Sequence, residues 1–338
     1  MPPFNVFDWI SQELRTWLMA NGETVSLQSD QALIKEGERC PNPLLLLLSG
    51  RLIVTTSSLQ HRQEQVASLT AGSMVGEMSW LEQRPAVATI TTSGDCSVLQ
   101  LSSQKLERLI KEEPLMAAQL FRVIAQKLAV QIQGQNAWAH RLHDAHAPVE
   151  ALRKVLTLFA TLQEQDVFTL ARLGRVQRVL PQTVLLNQGD EVTAVYLVLS
   201  GEAEVVLTLD GRTQLVGSSR RGELLGEMSL LLSDQKGAAA EVRSSLGMDL
   251  LAIEFSDLCA ELKHNPALGS RFYKGLACML SRRSRDQLLS HQRAWLSRRA
   301  EEEAFDCLDV DQLAAITRAA RHFDWLCRHF QCGEPATP

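Results

Sequence analysis

Gly-Glu-Met-Ser occurs twice in this chain, at residues 76–79 and 226–229. Each copy is followed by a loop and a run of small residues that closes on a β-branched residue, Ile90 or Val242. The match extends upstream. Gly37 and Gly189 are each followed by an acidic residue, and an apolar stretch then ends in Ser-Gly at Gly50 and Gly201. Gly50 is 22 residues from Gly72, Gly201 is 21 from Gly222, and Gly72–Gly76 and Gly222–Gly226 both span four. So many spaced coincidences define an internal repeat, which limits the fold to two copies of one unit.

Short apolar runs punctuated by glycine read as strands and tight turns, and their number in each copy suits a small antiparallel barrel or sandwich. Helical patterns flank each copy. Pro114 and Pro266 each stand where one helix stops and the next begins. The expected order is therefore helix, barrel, helix, helix, with units at 1–132 and 160–288, a helical linker at 133–159 and a helical tail at 289–338. The tail carries enough Leu, Ile, Phe and Trp to require burial.

This layout resembles the cyclic-nucleotide-binding domain of catabolite-activator-type regulators and of the protein kinase A regulatory subunit. The resemblance covers residues 5–132 and 160–288, and rests on the glycine spacing, the strand-Ser-Gly pattern and Gly-Glu-Met-Ser. It implies an α+β fold of two jelly-roll-like barrels (double-stranded β-helices) flanked by helices. It also implies that Glu77 and Glu227 accept from a ribose hydroxyl, and that Gly76 and Gly226 open the phosphate loop. The family places an arginine four residues before the closing β-branched residue. Here those positions are Ala86 and Ala238, followed by Val87 and Ala239. A guanidinium forks onto charged oxygens, and alanine has no such donor. Arg84 and Lys236 lie two residues earlier, as a shifted clamp or as solvated loop charges. The first copy keeps Thr89 where the second has Glu241, a carboxylate that would oppose a phosphate if it faced inward. The first pocket is thus the one expected to retain any binding. Without an arginine, Glu77 and Glu227 also fit a structural role as carboxylates at helix starts.

A formal charge of −5 and a pI near 5.9 give no global reason to bind nucleic acid. Seven cysteines without a Cys-x-x-Cys pair exclude a zinc ribbon and suit reduced thiols in a cytoplasmic protein. The N-terminus lacks a signal-peptide pattern, and the five consecutive leucines from Leu44 are too short a run to span a bilayer. His140, His143, His146 and Asp144 read as a polar helix end, so no metal is expected. Arg282, Arg283, Arg285, Arg293, Arg298 and Arg299 read as a solvated, salt-bridged helix. The tail is too short for a winged helix-turn-helix, and no catalytic signature is present. The expectation is a non-enzymatic regulatory or scaffold protein with two degenerate units, no cofactor, and a protein partner or self-association. The alternatives are a cyclic-nucleotide sensor using Arg84 and Glu77, and a Crp-like transcription regulator with an unrecognised DNA-binding tail.

Overall fold

The computed structural model describes residues 4–40, 42–57, 63–142, 157–232, 237–293 and 310–332. The first unit runs α1 (Gln12–Asn21), β1 (Glu23–Leu27), β2 (Ala32–Ile34), β3 (Leu44–Ser49), β4 (Arg51–Ser57), β5 (Gln63–Thr70), β6 (Met74–Val75), α2 (Glu77–Glu82), β7 (Thr89–Thr92), β8 (Cys96–Leu101), α3 (Ser103–Glu112) and α4 (Pro114–Leu142). The second runs α5 (Thr157–Thr161), α6 (Glu164–Leu173), β9 (Arg175–Val179), β10 (Val184–Leu186), β11 (Ala194–Leu209), β12 (Arg212–Arg220), β13 (Leu224–Leu225), α7 (Glu227–Leu231), β14 (Glu241–Glu254), α8 (Phe255–His264) and α9 (Pro266–Arg293). A tail helix, α10, covers Val310–His329.

The two units share one strand order. In the first, the sheets run β1-β8-β3-β6 and β2-β7-β4-β5. In the second, β11 covers the path of β3 and β4, and β14 that of β7 and β8. β10-β14-β11-β12, with β13 on β11 and β9 on β14, then repeats both orders. The Ser-Gly pairs are not reversals, as the turn reading assumed. The chain continues through them from one sheet into the other, with Gly50 at φ +92° and Gly201 at φ +83°. A Cβ on Gly50 would lie 2.6 Å from the Asp95 carbonyl oxygen, so the corner admits only glycine.

Pro114 and Pro266 open α4 and α9, as their missing N–H and fixed φ favour at a first helical position. Both helices outrun the sequence boundaries: residues 133–142 of the expected linker belong to α4, and α9 continues past 288. At 1.5 Å per residue each is about 40 Å long. α4 buries Ala117, Leu120, Phe121, Ile124, Leu128 and Ile132, a 3–4 spacing that defines one face. That face packs on α9 through Leu268, Phe272, Leu276 and Leu280, and one continuous apolar core joins the units. Two smaller cores fill the sandwiches. The Pro114–Ala137 stretch is apolar enough by composition to cross a membrane, but 61% of that window is buried within the molecule, which accounts for its apolarity.

The tail helix docks on the second unit. Phe323 meets Phe159 edge-on at 5.1 Å, and Trp325 meets Phe168 at 4.4 Å. Arg221 stands over the Phe323 ring and pairs with Asp324 at 3.4 Å.

Candidate functional site

In each unit the repeated tetrapeptide forms the same corner. Gly76 and Gly226 cap their short helices at φ +92° and +79°. A Cβ would approach the carbonyl oxygen of Pro43 to 2.9 Å or of Ala194 to 2.6 Å, so the close passage of two backbones requires glycine. Glu77 and Glu227 then begin α2 and α7 and are 2% and 3% exposed. A carboxylate buried this deeply needs a partner, and each has a cation from the long helix of its own unit. Glu77 Oε1 pairs with Lys127 of α4, and Glu227 Oε1 pairs with Arg283 of α9 at 2.7 Å. Sequence reasoning missed Lys127 and took Arg283 for part of a solvated helix.

The positions expected to hold the family arginine are equivalent in space as well as in sequence. Ala86 N–H donates to Glu38 and its carbonyl accepts from Gly37, at 3.0 and 2.9 Å. Ala238 does the same with Asp190 and Gly189, at 2.8 and 2.9 Å. Both methyl groups are buried. Val87 is partly buried and Ala239 exposed. The Thr89 Oγ1 accepts the Glu36 N–H at 3.0 Å. Arg84 is half exposed, 3.9 Å from Glu82. Lys236 lies outside the described residues, as do His143, Asp144 and His146. No metal-binding cluster occurs among the described residues.

A cavity of about 140 Å³ lies in the second unit. Gly226, Glu227, Ala238 and Ala239 line it, and so do Ala240 and Val242, whereas Glu241 between them does not. Alternation along β14 sends that carboxylate to the other face, which removes the opposition to a phosphate that an inward Glu241 would have caused. The wall includes Arg282, Arg283, Asp286 and Gln287 of α9, and Ile132, Gln133 and Asn136 of α4, from the other unit.

The units grip each other beside these corners. Arg285 of α9 is 5% exposed and makes an ion pair with Glu82 of α2 at 2.7 Å. Its Nε–H is angled off the carboxylate, so the contact is an ion pair rather than an aligned hydrogen bond. Arg285 Nη1 donates to the Pro85 carbonyl at 3.0 Å, and Ser281 donates to Glu82 at 2.5 Å. Burial lowers the Arg285 pKa, and Glu82 opposes that shift. In return, Gln126 of α4 donates to the Leu231 carbonyl of α7 at 2.9 Å. Of the arginines read from sequence as a solvated face, Arg298 and Arg299 lie outside the described residues, and Arg282, Arg283 and Arg285 all make contacts within the protein. Arg285 points inward, because the apolar spacing of α9 (Leu276, Leu280) continues through Ser284 and Arg285, and Arg283, with a third of its side chain exposed, reaches Glu227. That continuation was the available signal.

The family model for the cyclic nucleotide-binding domain matches residues 24–113 and 176–265, more than half of the chain. Rat patatin-like phospholipase domain-containing protein 7 is 24% identical over 202 residues, 58% of this chain and 12% of that protein. The cyclic AMP receptor protein of Thermus thermophilus is 34% identical over 112 residues, 32% of this chain and 49% of that one. The chain thus spans less than half the length of these relatives. Among solved structures, the regulatory domain of Toxoplasma gondii PKA with cAMP is 17% identical, with 78% of this chain and 88% of that chain covered at a TM-score of 0.30. With both matched segments falling on units of one strand order, the chain belongs to the cyclic nucleotide-binding domain family.

Proposed function

We propose that this protein is a non-enzymatic regulatory subunit whose paired units act through protein–protein contacts, and that neither unit holds cyclic AMP tightly. The observation that carries the reading is the buried alanine at both phosphate-loop positions, Ala86 and Ala238. A hydrogen bond to a charged group contributes about 1.5–3 kcal/mol, so the missing guanidinium weakens phosphate binding by roughly ten- to a hundredfold or more. The regulatory class rests on the family and on the shared α4–α9 core, which lets one unit respond to the other. The phospholipase named above matches over 12% of its length, and its activity is left with that protein.

One observation favours a cyclic-nucleotide sensor as the second reading. Arg84 is half exposed, and the nearest acid, Glu82, already has Arg285 as its partner, so the Arg84 guanidinium is placed to meet an anion at the first corner. Calorimetric titration with cyclic AMP separates the two. The first reading expects a dissociation constant above 10 μM, as an order-of-magnitude threshold, and tighter binding in Ala86→Arg. Submicromolar binding lost in Arg84→Ala would establish the sensor instead.

A further inference from the structure

The cavity of the second unit has a wall whose charge does not suit a phosphate. Among the described residues its charged lining is Glu223, Glu227 and Asp286 against Arg282 and Arg283, an excess of one acid. Both bases are engaged within the protein: Arg283 with Glu227, and Arg282 with the Thr157 hydroxyl at 2.7 Å. The run Ala238–Ala240 offers no side-chain donor. An anion entering here gains no net attraction and must draw a guanidinium away from a buried carboxylate, which is costly.

The same wall suits an uncharged ligand. Leu186, Val205 and Val242 give it an apolar side, and the two long helices give it an amide edge. Asn136 of α4 accepts from Gln287 of α9 at 2.5 Å, so that edge is built from both units. Gln133 Oε1, on the α4 side, is buried and makes no hydrogen bond among the described residues. Buried acceptors ordinarily have donors. The Glu227 carboxylate, 3% exposed, is an acceptor for hydroxyl hydrogens and does not require its partner to be charged.

We infer that this cavity is a composite site, closed by α4 of the first unit, for an uncharged ligand of the nucleoside class: a flat ring for the apolar side, ring-edge donors for the amides, and sugar hydroxyls for Glu227. This rests on the reading that phosphate is poorly held, and extends it to what is held instead.

The test is calorimetric titration of the full chain with adenosine, guanosine, cytidine and uridine, beside cyclic AMP, cyclic GMP and the 5′-monophosphates. At least one nucleoside is expected to bind at least tenfold tighter than its own phosphorylated forms. Gln133→Ala and Asn136→Ala, in the other unit, should each weaken it at least fivefold with unchanged melting, and Glu227→Gln at least tenfold. Glu77→Gln should leave it unaltered. Absence of nucleoside binding, or binding indifferent to both α4 variants, would overturn the inference. If cyclic AMP is also weak in that case, the protein-contact reading survives. Cyclic AMP binding more tightly than every nucleoside would overturn both.

Discussion

Replacing Arg285 with methionine removes one charge from a buried contact between the units and keeps most of the side chain's volume. Glu82 would be left 1% exposed at its side chain, with the Ser281 hydroxyl and, at 3.9 Å, the half-exposed Arg84 as its remaining partners. Breaking a buried ion pair from one side costs about 3–5 kcal/mol, because the remaining charge stays desolvated. At about 2.1 cal/mol/K of unfolding entropy per residue, the 338 residues correspond to roughly 0.7 kcal/mol/K. The expected loss in Tm is therefore about 4–7 °C, read by calorimetry or circular dichroism at pH 7.5. A compensating change is available within the chain: the second copy has Leu232, 2% exposed, at the position of Glu82. Glu82→Leu combined with Arg285→Met should recover most of the loss, as apolar replacement of a buried pair commonly does. An Arg285→Met variant within about 1 °C of wild type, or a double variant less stable than the single one, would refute the claim that this pair clamps the units.

Three further outcomes follow from the same geometry. Burial lowers the His322 pKa, with Arg318 and Arg321 adding to the shift and Glu164 and a bond to the Phe159 backbone opposing it. Below about pH 6.5 the unfolded chain then binds the extra proton more readily, so stability falls on acidification through that value, and His322→Gln should flatten the slope of Tm between pH 7.5 and 5.5. Phe323→Ala removes an aromatic that is 3% exposed and packed on Phe159; a cost of about 3–5 kcal/mol should appear as faster amide exchange in α10 and α5, with the first unit unaltered. Gln126→Ala deletes a buried bond to the Leu231 carbonyl and should cost about 1–3 kcal/mol, visible as faster exchange in α7; exchange rates there equal to wild type would dissociate α7 from α4.

Much of this architecture is legible in sequence because it follows from local steric requirements. Gly50, Gly76, Gly201 and Gly226 occupy left-handed backbone that side chains rarely adopt, so equal glycine spacing reports equal chain paths. Pro114 and Pro266 mark helix starts for an equally local reason. The correspondence between the copies is legible too, since Ala86 and Ala238, matched by counting, occupy equivalent backbone pairings in the structure. The exit of Glu241 from the cavity follows from strand alternation once Ala240 and Val242 are known to face inward.

What the sequence determined, then, is the unit and its duplication, because each is carried by the residue type needed at a fixed place along the backbone. Only the tertiary structure decided how the copies use each other. Lys127, Arg283 and Arg285 lie 50, 56 and 203 residues from their carboxylates Glu77, Glu227 and Glu82. The apolar spacing of α9 marks Arg285 as inward-facing, but nothing in it names the acid that Arg285 meets in the other unit. That choice was made when the apolar faces of α4 and α9 packed together. The packing brought the second half of each helix against the corner of a sandwich and set the Gln133 and Asn136 side of α4 into the wall of the other unit's cavity.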